Sequence, residues 1–234
     1  MTSALSAGVI PAAGSGERLG AKRPKALVKV GRRTLINRSA TKLSKVVDEI
    51  VVAAPAGYEA EIAKSLRKLP VPVVVITGGG SRTESVSLAL AHLTPDVRYV
   101  LIHDAARAFA PTSLIRSVLQ ALQRGEDAVV PALAVTDTIK IVDEQEHVRS
   151  TLRRESLRSV QTPQGFAREL LERAHQEAIL HERVGTDDAS LVEAIGGTVL
   201  LIPGDERAHK ITTASDLQHR RKMKWKAQRR GTKI

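Results

Sequence analysis

Small residues and cations are concentrated in one stretch near the start of the sequence, and together they suit the binding of a polyphosphate. Residues 11–16 read Pro-Ala-Ala-Gly-Ser-Gly and follow a short apolar run at 7–10. A loop without large side chains lets a ligand approach the backbone N–H groups. Four cationic side chains come next: Arg18, Lys22, Arg23 and Lys25. The pattern predicts a phosphate-binding loop that follows a first strand.

This loop fits neither of the two common phosphate-binding patterns. Leu19 stands where a dinucleotide fingerprint requires its third glycine, and no acidic residue follows the next predicted strand to hold a ribose. The Gly-Lys-Ser/Thr ending of a Walker loop is also missing. The loop is therefore predicted to bind phosphate in a different structural setting.

Two further groups of polar and small residues follow predicted strands. Residues 78–82 read Gly-Gly-Gly-Ser-Arg and open a predicted helix that contains Ser85, so they form a second candidate phosphate loop. Residues 103–107 read His-Asp-Ala-Ala-Arg. Asp104 could hold Mg²⁺ or a hydroxyl group, and Arg107 could pair with a phosphate. His103 has no nucleophile nearby in the sequence to activate, so we do not expect it to be a catalytic base.

Apolar runs alternate with helical periodicity over most of the chain. Strands are predicted at 7–10, 50–54, 71–76, 99–102, 128–135 and 198–202. Helices are predicted at 58–69, 82–93, 113–122, 167–180 and 187–195, with a last one from 215. This alternation indicates an α/β fold, a Rossmann-like, mainly parallel sheet with helices on both faces. The candidate loops should then meet at the carboxyl edge of the sheet, where ligands of such folds bind.

The alternation stops between 136 and 160, where short strand-like segments surround a polar turn. We interpret these residues, here called the arm, as a hairpin that projects from the sheet. Because an isolated two-stranded ribbon is marginally stable in water, the arm needs a surface to pack against. A second copy of the chain is the simplest candidate, and the chain's own domain is the alternative.

Composition narrows the class of protein. The 234 residues include no cysteine and show no apolar leader segment or run of 18 apolar residues, so we expect one cytoplasmic domain over 1–234 that needs no membrane. The net charge is +11, but eight of the 36 Lys and Arg residues lie at 220–234, where no acidic residue occurs. This basic tail is typical of a solvated helix end, with weak RNA binding as the alternative. Aromatic residues make up 2% of the chain, which argues against nucleic-acid binding as its main function.

Six motifs occur in the order and spacing of one enzyme family. Besides 11–20 with Pro24-Lys25 and the His-Asp-Ala-Ala-Arg segment, they are Asp137-Thr-Ile-Lys, Gln161-Thr-Pro-Gln, Thr186-Asp-Asp-Ala-Ser and the segment from Gly204 to Lys210. Over about residues 4 to 220 the chain resembles the 2-C-methyl-D-erythritol 4-phosphate cytidylyltransferases of the non-mevalonate isoprenoid pathway. The resemblance implies a nucleotidyltransferase-type fold and the transfer of CMP from CTP to that polyol phosphate, with release of pyrophosphate.

The resemblance also implies roles for individual residues. CTP would be bound by Pro11, Ala12, Ala13, Gly14, Gly16, Gly79, Gly80 and Ser85. The polyol phosphate would be held by Asp104, Arg107, Thr162, Thr186 and Lys210, and by Thr138 and Arg154, which would reach it from the arm of the partner subunit. The catalytic cations would be Arg18, Lys25, Arg107 and Lys210. Members of the family need Mg²⁺, held mostly by the CTP phosphates with Asp104 as the candidate protein ligand, and they form homodimers with interlocking arms.

Some positions depart from the family pattern and leave the acceptor open. Ala26-Leu27 follows Pro24-Lys25 where many members have Gln-Phe, Gly80 stands where some have Asp, and Thr212 where some have Lys. A cytidylyltransferase for another polyol phosphate, such as ribitol 5-phosphate, therefore stays an alternative. A nucleotide-binding regulator without catalytic activity is the alternative outside the enzymes.

Overall fold

Strand β1 (Leu5–Pro11) lies in the middle of an eight-stranded sheet in the computed structural model, which describes residues 4–14, 23–183 and 185–218. It pairs in parallel with β4 (Glu49–Ala54) on one side and with β6 (Val97–Ile102) on the other. Strand β5 (Val73–Thr77) extends the parallel part beyond β4. The carboxyl ends of these four strands therefore share one edge, as the sequence predicts.

The other half of the sheet is built around β7 (Ala128–Ala134). It pairs in parallel with β12 (Leu200–Pro203) and antiparallel with β10 (Arg158–Val160) and β11 (Gln164–Ala167). Strand β11 lies between β6 and β7 and runs antiparallel to both. The prediction of a mainly parallel sheet is confirmed. β11 itself was not expected, because its short Gln-Gly-Phe-Ala run shows neither alternation nor a continuous apolar stretch.

Six helices cover the two faces of the sheet. They are α1 (Leu35–Leu43), α2 (Glu59–Leu66), α3 (Arg82–Leu90), α4 (Thr112–Gln123), α5 (Arg168–Leu180) and α6 (Asp188–Ala194). One apolar core contains buried residues of α1, α2 and α4, and a second contains those of α3, α5 and α6. Successive residues of β1 serve the two cores in turn, Val9 the second and Ile10 the first. No described helix is long and apolar enough to cross a membrane.

Several local features differ from the sequence-based expectations. Helix α1 and the small hairpin of β2 (Lys29–Val30) and β3 (Arg33–Thr34) were not predicted. Helix α6 begins one residue later than expected, because Asp187 rather than Thr186 caps it. The Asp187 carboxylate accepts a hydrogen bond from the amide of Ser190 at 2.9 Å. Residues 214–218 are helical, as expected, and the basic tail at 220–234 lies outside the described residues.

The arm consists of two parts with different surroundings. Its outer part is a separate two-stranded sheet of β8 (Lys140–Val142) and β9 (Val148–Thr151), whose residues are all exposed. After a 3-10 turn at Arg154–Ser156, the chain returns as β10 and joins the main sheet beside β7. The hairpin expected between 136 and 160 is therefore present, and its last strand belongs to the main sheet.

The contact between β1 and α1 leads to the first testable prediction. A Cβ atom added at Gly8 would overlap the side chain of Leu43, which is fully buried. We expect Gly8→Ala to lower the free energy of unfolding by about 1–3 kcal/mol, since overpacking in a core costs about this much. Urea unfolding of the single variants Gly8→Ala and Leu43→Ala and of the double variant would test the contact. An equal cost of Gly8→Ala in both backgrounds would contradict it.

Candidate active site

A cavity of about 370 Å³ opens at the carboxyl edge of the sheet, where β1, β5 and β6 end. We call it the edge cavity. Ten of the predicted site residues line it: Pro11, Ala12, Ala13, Gly14, Lys25, Gly79, Gly80, Ser85, Asp104 and Lys210. A second cavity of about 420 Å³ lies between α5 and α6 and contains none of the predicted residues. The edge cavity is therefore the place where the predicted nucleotide and acceptor residues meet.

The first loop presents backbone groups to the edge cavity. The amide of Ala12 donates to the carbonyl oxygen of Ala53 at 2.8 Å, so it is bonded to the neighbouring strand and is not available to a ligand. Within the described residues, the amides of Ala13 and Gly14 have no hydrogen-bond partner. Two adjacent amides at a strand end can donate to an anionic oxygen. Gly16 and Arg18, which the sequence assigns to the same loop, lie outside the described residues.

The second loop is tied to the helix that it opens. The amide of Gly79 donates to Ser85 Oγ at 3.1 Å, and the amide of Gly80 donates to the Glu84 carboxylate at 2.7 Å. Ser85 Oγ in turn donates to the carbonyl oxygen of Ser81. Because the amides of both glycines are already bonded within the loop, they do not face a ligand as free donors here, and the second phosphate loop stays a prediction. Its carbonyl groups are left as acceptors, which suit the amino group of a base better than a phosphate.

The two loops touch at Gly78, and this contact requires a glycine. A Cβ atom at this position would lie 2.8 Å from the Cβ of Ala13 and 3.0 Å from Ser85 Oγ. The Gly78 amide also donates to the carbonyl oxygen of Ala54 at 2.7 Å. The close approach of the two loops thus sets the width of the cavity between them.

Asp104 lines the edge cavity and carries a negative charge that two cationic side chains contact. Its Oδ2 lies 2.7 Å from Lys210 Nζ, and its Oδ1 lies 3.7 Å from Arg82 Nε. Burial acts to raise the pKa of this carboxyl group, but the positive charges of Arg82 and Lys210 lower it to about 2. Asp104 is therefore a carboxylate at any physiological pH, and two cations are fixed beside it.

A second carboxylate lies behind Arg82. Arg82 Nη2 is 2.6 Å from Asp188 Oδ2, and Asp188 Oδ1 is 3.1 Å from His175 Nε2. Asp188 is fully buried and does not line the cavity. The sequence analysis named Arg82 only as the last residue of the second candidate phosphate loop and gave Asp188 no partner. Their pairing spans 106 residues of sequence, so no local spacing could have revealed it.

Thr162 lies beside Asp104, two residues before β11. It is buried, and its Oγ1 accepts a hydrogen bond from the amide of Asp104 at 3.0 Å. The same oxygen lies 3.0 Å from His103 Nδ1. Its hydroxyl group therefore fixes the backbone at Asp104, and the predicted contact between Thr162 and a substrate stays a prediction.

The remaining predicted residues lie outside the lining of the edge cavity. The guanidinium of Arg107 donates to the carbonyl oxygens of Ala208 at 2.9 Å and Val160 at 3.0 Å, so it ties two neighbouring segments together. Thr138 and Arg154 are exposed on the arm, where Arg154 donates to the carbonyl oxygen of Thr136 at 3.1 Å. Thr186 is exposed just before α6.

His103 is fully buried directly after β6. Burial lowers the pKa of its imidazole to about 4, and the nearby Arg107 acts in the same direction while Asp104 opposes it. The ring is therefore neutral at physiological pH. The expectation that His103 is not a general base stays a prediction.

The low pKa of His103 predicts a pH dependence of stability. Its folded-state pKa of about 4 lies below the usual value of about 6.5, so unfolding takes up a proton between these values. The stabilising contribution is complete above pH 6.5 and is lost as the pH falls towards 4. Between pH 7 and pH 5, we expect the wild type to lose about 2 kcal/mol more stability than His103→Gln. Urea unfolding at both pH values measures this, and equal losses in the two proteins would contradict the assignment.

Comparison with known proteins identifies the family. The model of the 2-C-methyl-D-erythritol 4-phosphate cytidylyltransferase family matches residues 7–222. An enzyme of that name from Saccharopolyspora erythraea is 50% identical over 214 residues, which are 89% of this chain and 94% of the relative. The enzyme of that name from Rhodococcus jostii is 49% identical over 212 residues, covering 89% of this chain and 90% of the relative.

Solved structures agree with the sequence matches. The crystal structure of 4-diphosphocytidyl-2C-methyl-D-erythritol synthase from Anaerococcus prevotii superposes with a TM-score of 0.83 at 29% identity, covering 94% of this chain and 98% of that one. The 2-C-methyl-D-erythritol 4-phosphate cytidylyltransferase from Thermus thermophilus superposes with a TM-score of 0.77 at 36% identity, covering 92% and 97%. The matched region includes every segment that lines the edge cavity, and the chain belongs to the 2-C-methyl-D-erythritol 4-phosphate cytidylyltransferase family.

Proposed function

We propose that the edge cavity is where this cytidylyltransferase transfers CMP from CTP to 2-C-methyl-D-erythritol 4-phosphate. The products are 4-diphosphocytidyl-2-C-methyl-D-erythritol and pyrophosphate. One observation carries the proposal. Ten residues chosen from four separate sequence segments line a single cavity, in a chain whose residues 7–222 match that family.

The nucleotide would occupy the side of the cavity formed by the first two loops. The amides of Ala13 and Gly14 and the charge of Lys25 suit the triphosphate, and Gly16 and Arg18 are assigned to it by family resemblance. Gly79, Gly80 and Ser85 form the opposite wall, where backbone carbonyl groups suit the amino group of cytosine. This division puts the phosphates next to the cations.

The reaction we infer is an attack by a phosphate oxygen of the acceptor on the α-phosphorus of CTP. A new P–O bond forms, and the bond from the α-phosphorus to the bridging oxygen breaks as pyrophosphate leaves. The main obstacle is repulsion, since two unit charges about 5 Å apart repel by roughly 3 kcal/mol at an effective dielectric constant near 20. Cations therefore matter more than a base.

The residues of this chain can supply that charge without moving a proton. An acceptor phosphate is already ionised at neutral pH, so no group has to deprotonate it. Lys25 would stabilise the charge that develops on the α-phosphate and the leaving group. Lys210, held beside Asp104, would orient the acceptor phosphate. Arg107 would act with it as a catalytic cation by family resemblance, although here its guanidinium bonds to backbone carbonyl groups.

A Mg²⁺ ion fits this arrangement with CTP as its main ligand. In the described part of the chain, no group of three or more His, Asp or Glu side chains could hold a metal by itself. Asp104 is an anionic oxygen donor that lines the cavity, and Mg²⁺ in phosphate-transferring sites binds through one or two carboxylates plus substrate phosphates. When bound, the ion would neutralise phosphate charge.

Dimer formation through the arm is part of the proposal. The outer arm exposes the apolar side chains of Ile139, Ile141, Val142, Val148 and Leu152, each between 36% and 59% accessible. Such a patch is typical of a protein interface. Thr138 and Arg154 are exposed on the arm, and by family resemblance we assign them to the acceptor site of the partner subunit. Thr162 and Thr186 remain candidate acceptor residues by resemblance alone.

We further propose that the enzyme works in the cytoplasm and needs no nucleic acid. The chain has no cysteine, which fits a reducing compartment. Most of its excess positive charge belongs to the basic tail at 220–234, and this tail lies mostly outside the part of the chain that matches the family.

Pyrophosphate release is the direct test of the function. With Mg²⁺, we expect release from CTP and 2-C-methyl-D-erythritol 4-phosphate, and little from ATP, GTP or UTP. If pyrophosphate is released only with ribitol 5-phosphate, the proposed mechanism stands and the acceptor is ribitol 5-phosphate instead. If the folded protein binds CTP but releases no pyrophosphate with either acceptor, the alternative of a silent regulator would replace the enzyme.

Mixing two inactive variants tests whether the arm completes the partner's site. Lys25→Ala and Arg154→Ala chains are each expected to have low kcat. If Arg154 acts in the partner subunit, equal mixing gives mixed dimers with one intact site, and activity returns to about a quarter of the wild-type value. The matched control mixes Lys25→Ala with Lys210→Ala, which leaves both sites defective. No recovery in the first mixture, despite demonstrated subunit exchange, would assign Arg154 to its own chain.

A further inference from the structure

The carboxylate of Asp188 is fully buried, lies outside the edge cavity and is still connected to it. Asp188 Oδ2 lies 2.6 Å from Arg82 Nη2, and Arg82 Nε lies 3.7 Å from Asp104 Oδ1 on the cavity floor. Arg82 itself lines the cavity, whereas Asp188 does not. Arg82 is therefore held between a carboxylate in the site and a carboxylate behind it.

The charges in this cluster alternate. In order, they are the Asp188 carboxylate, the Arg82 guanidinium, the Asp104 carboxylate and the Lys210 ammonium group. Burial acts to raise the pKa of Asp188, but Arg82 and the hydrogen bond to His175 lower it, so Asp188 is ionised. Each cation thus has a carboxylate beside it, and the cluster of four groups carries no net charge before a substrate binds.

Asp188 is fixed in position by β11. The side-chain oxygen of Gln164 accepts hydrogen bonds from the amides of Asp188 and Ala189, both at 3.2 Å. The side-chain nitrogen of Gln164 donates to the carboxylate of Asp187 at 2.6 Å. The first turn of α6 is thereby anchored to the sheet, so Asp188 cannot follow Arg82 if that side chain moves.

We propose that Asp188 is a positioning residue for the transferase reaction, which holds Arg82 on the cavity wall and keeps it from pairing fully with Asp104. The proposal rests on the function assigned to the edge cavity. While Asp188 holds one N–H edge of Arg82, the second oxygen of Asp104 stays available to Lys210. Without the Asp188 charge, Arg82 would turn both donor edges towards Asp104 and compete with Lys210 there. The ammonium group that orients the acceptor phosphate would then be misplaced.

Asp188→Asn removes the charge and nearly preserves the shape. A misplacement of about 1 Å in a catalytic group can cost about 100-fold in rate, so we expect kcat/KM for the acceptor phosphate to fall about 10- to 100-fold. The rise in KM for the acceptor should exceed any rise in KM for CTP, because Lys210 lies on the acceptor side. Asp188→Glu keeps the carboxylate and should recover part of the loss.

Two comparisons distinguish the proposed positioning role of Asp188 from a role in protein stability alone. His175→Gln perturbs the same buried cluster from the side away from the cavity, so it is a matched control for stability. We expect it to change the melting temperature without changing the ratio of the two KM values. In an Arg82→Met background, Asp188→Asn should cause no further loss. A full additional loss in that background, or equal kinetic effects of His175→Gln and Asp188→Asn, would overturn the proposal.

A spectroscopic measurement tests the role of Asp188 without depending on the proposed enzyme activity. The Nε–H signal of Arg82 in a ¹⁵N NMR spectrum can be assigned by its absence in Arg82→Lys. In the wild type we expect this proton to be protected from exchange with solvent. In Asp188→Asn we expect the signal to shift, even if no acceptor is turned over. An unchanged signal would overturn the proposal. If Asp188→Asn does not fold, Arg82→Lys replaces it, since a lysine cannot bridge both carboxylates. Unchanged acceptor KM and kcat in folded Arg82→Lys would also overturn it.

Discussion

The charge of Asp104 at the end of β6 is the constraint on which the site depends. A carboxylate with only a small exposed fraction is unfavourable unless cations and hydrogen bonds compensate it. Here the compensation comes from Arg82 at the start of α3 and from Lys210, more than 100 residues further along the chain. Because both cations must lie beside Asp104, the second glycine loop and the segment after β12 meet at the same wall of the cavity.

This compensation also prepares the site for phosphate. Cations that are already held by carboxylates need little reorganisation when an anionic substrate arrives, which is the basis of electrostatic preorganisation. Lys210 is 43% exposed in its side chain and can therefore reach a ligand while it stays near Asp104. The buried neutral imidazole of His103, by contrast, adds no charge and does not line the cavity.

The sequence predicted the parts of the fold that are determined locally. Apolar runs located the parallel strands, and the strand ends located the loops with Gly14, Gly79 and Asp104, because parallel strands place such loops on one edge. The sequence did not reveal which polar side chains bond to other groups of the protein rather than to a ligand. The hydroxyl of Thr162 and the two Nη groups of Arg107 hydrogen-bond to distant backbone groups, and the Arg82–Asp188 pair depends on tertiary contacts alone.

The antiparallel strand β11, which the sequence does not predict, explains how Asp104 at the cavity and Asp188 behind Arg82 keep their relative position. Thr162, just before it, accepts the amide proton of Asp104, and Gln164, its first residue, accepts that of Asp188. Two positions, separated only by Pro163, thus fix the backbone at both ends of the carboxylate–guanidinium–carboxylate bridge. Because β11 pairs with β6 and β7 at once, this spacing is set by the sheet rather than by a loop. The Gln161-Thr-Pro-Gln segment, which the sequence marks only as a family motif, therefore supports the two carboxylates that hold Arg82.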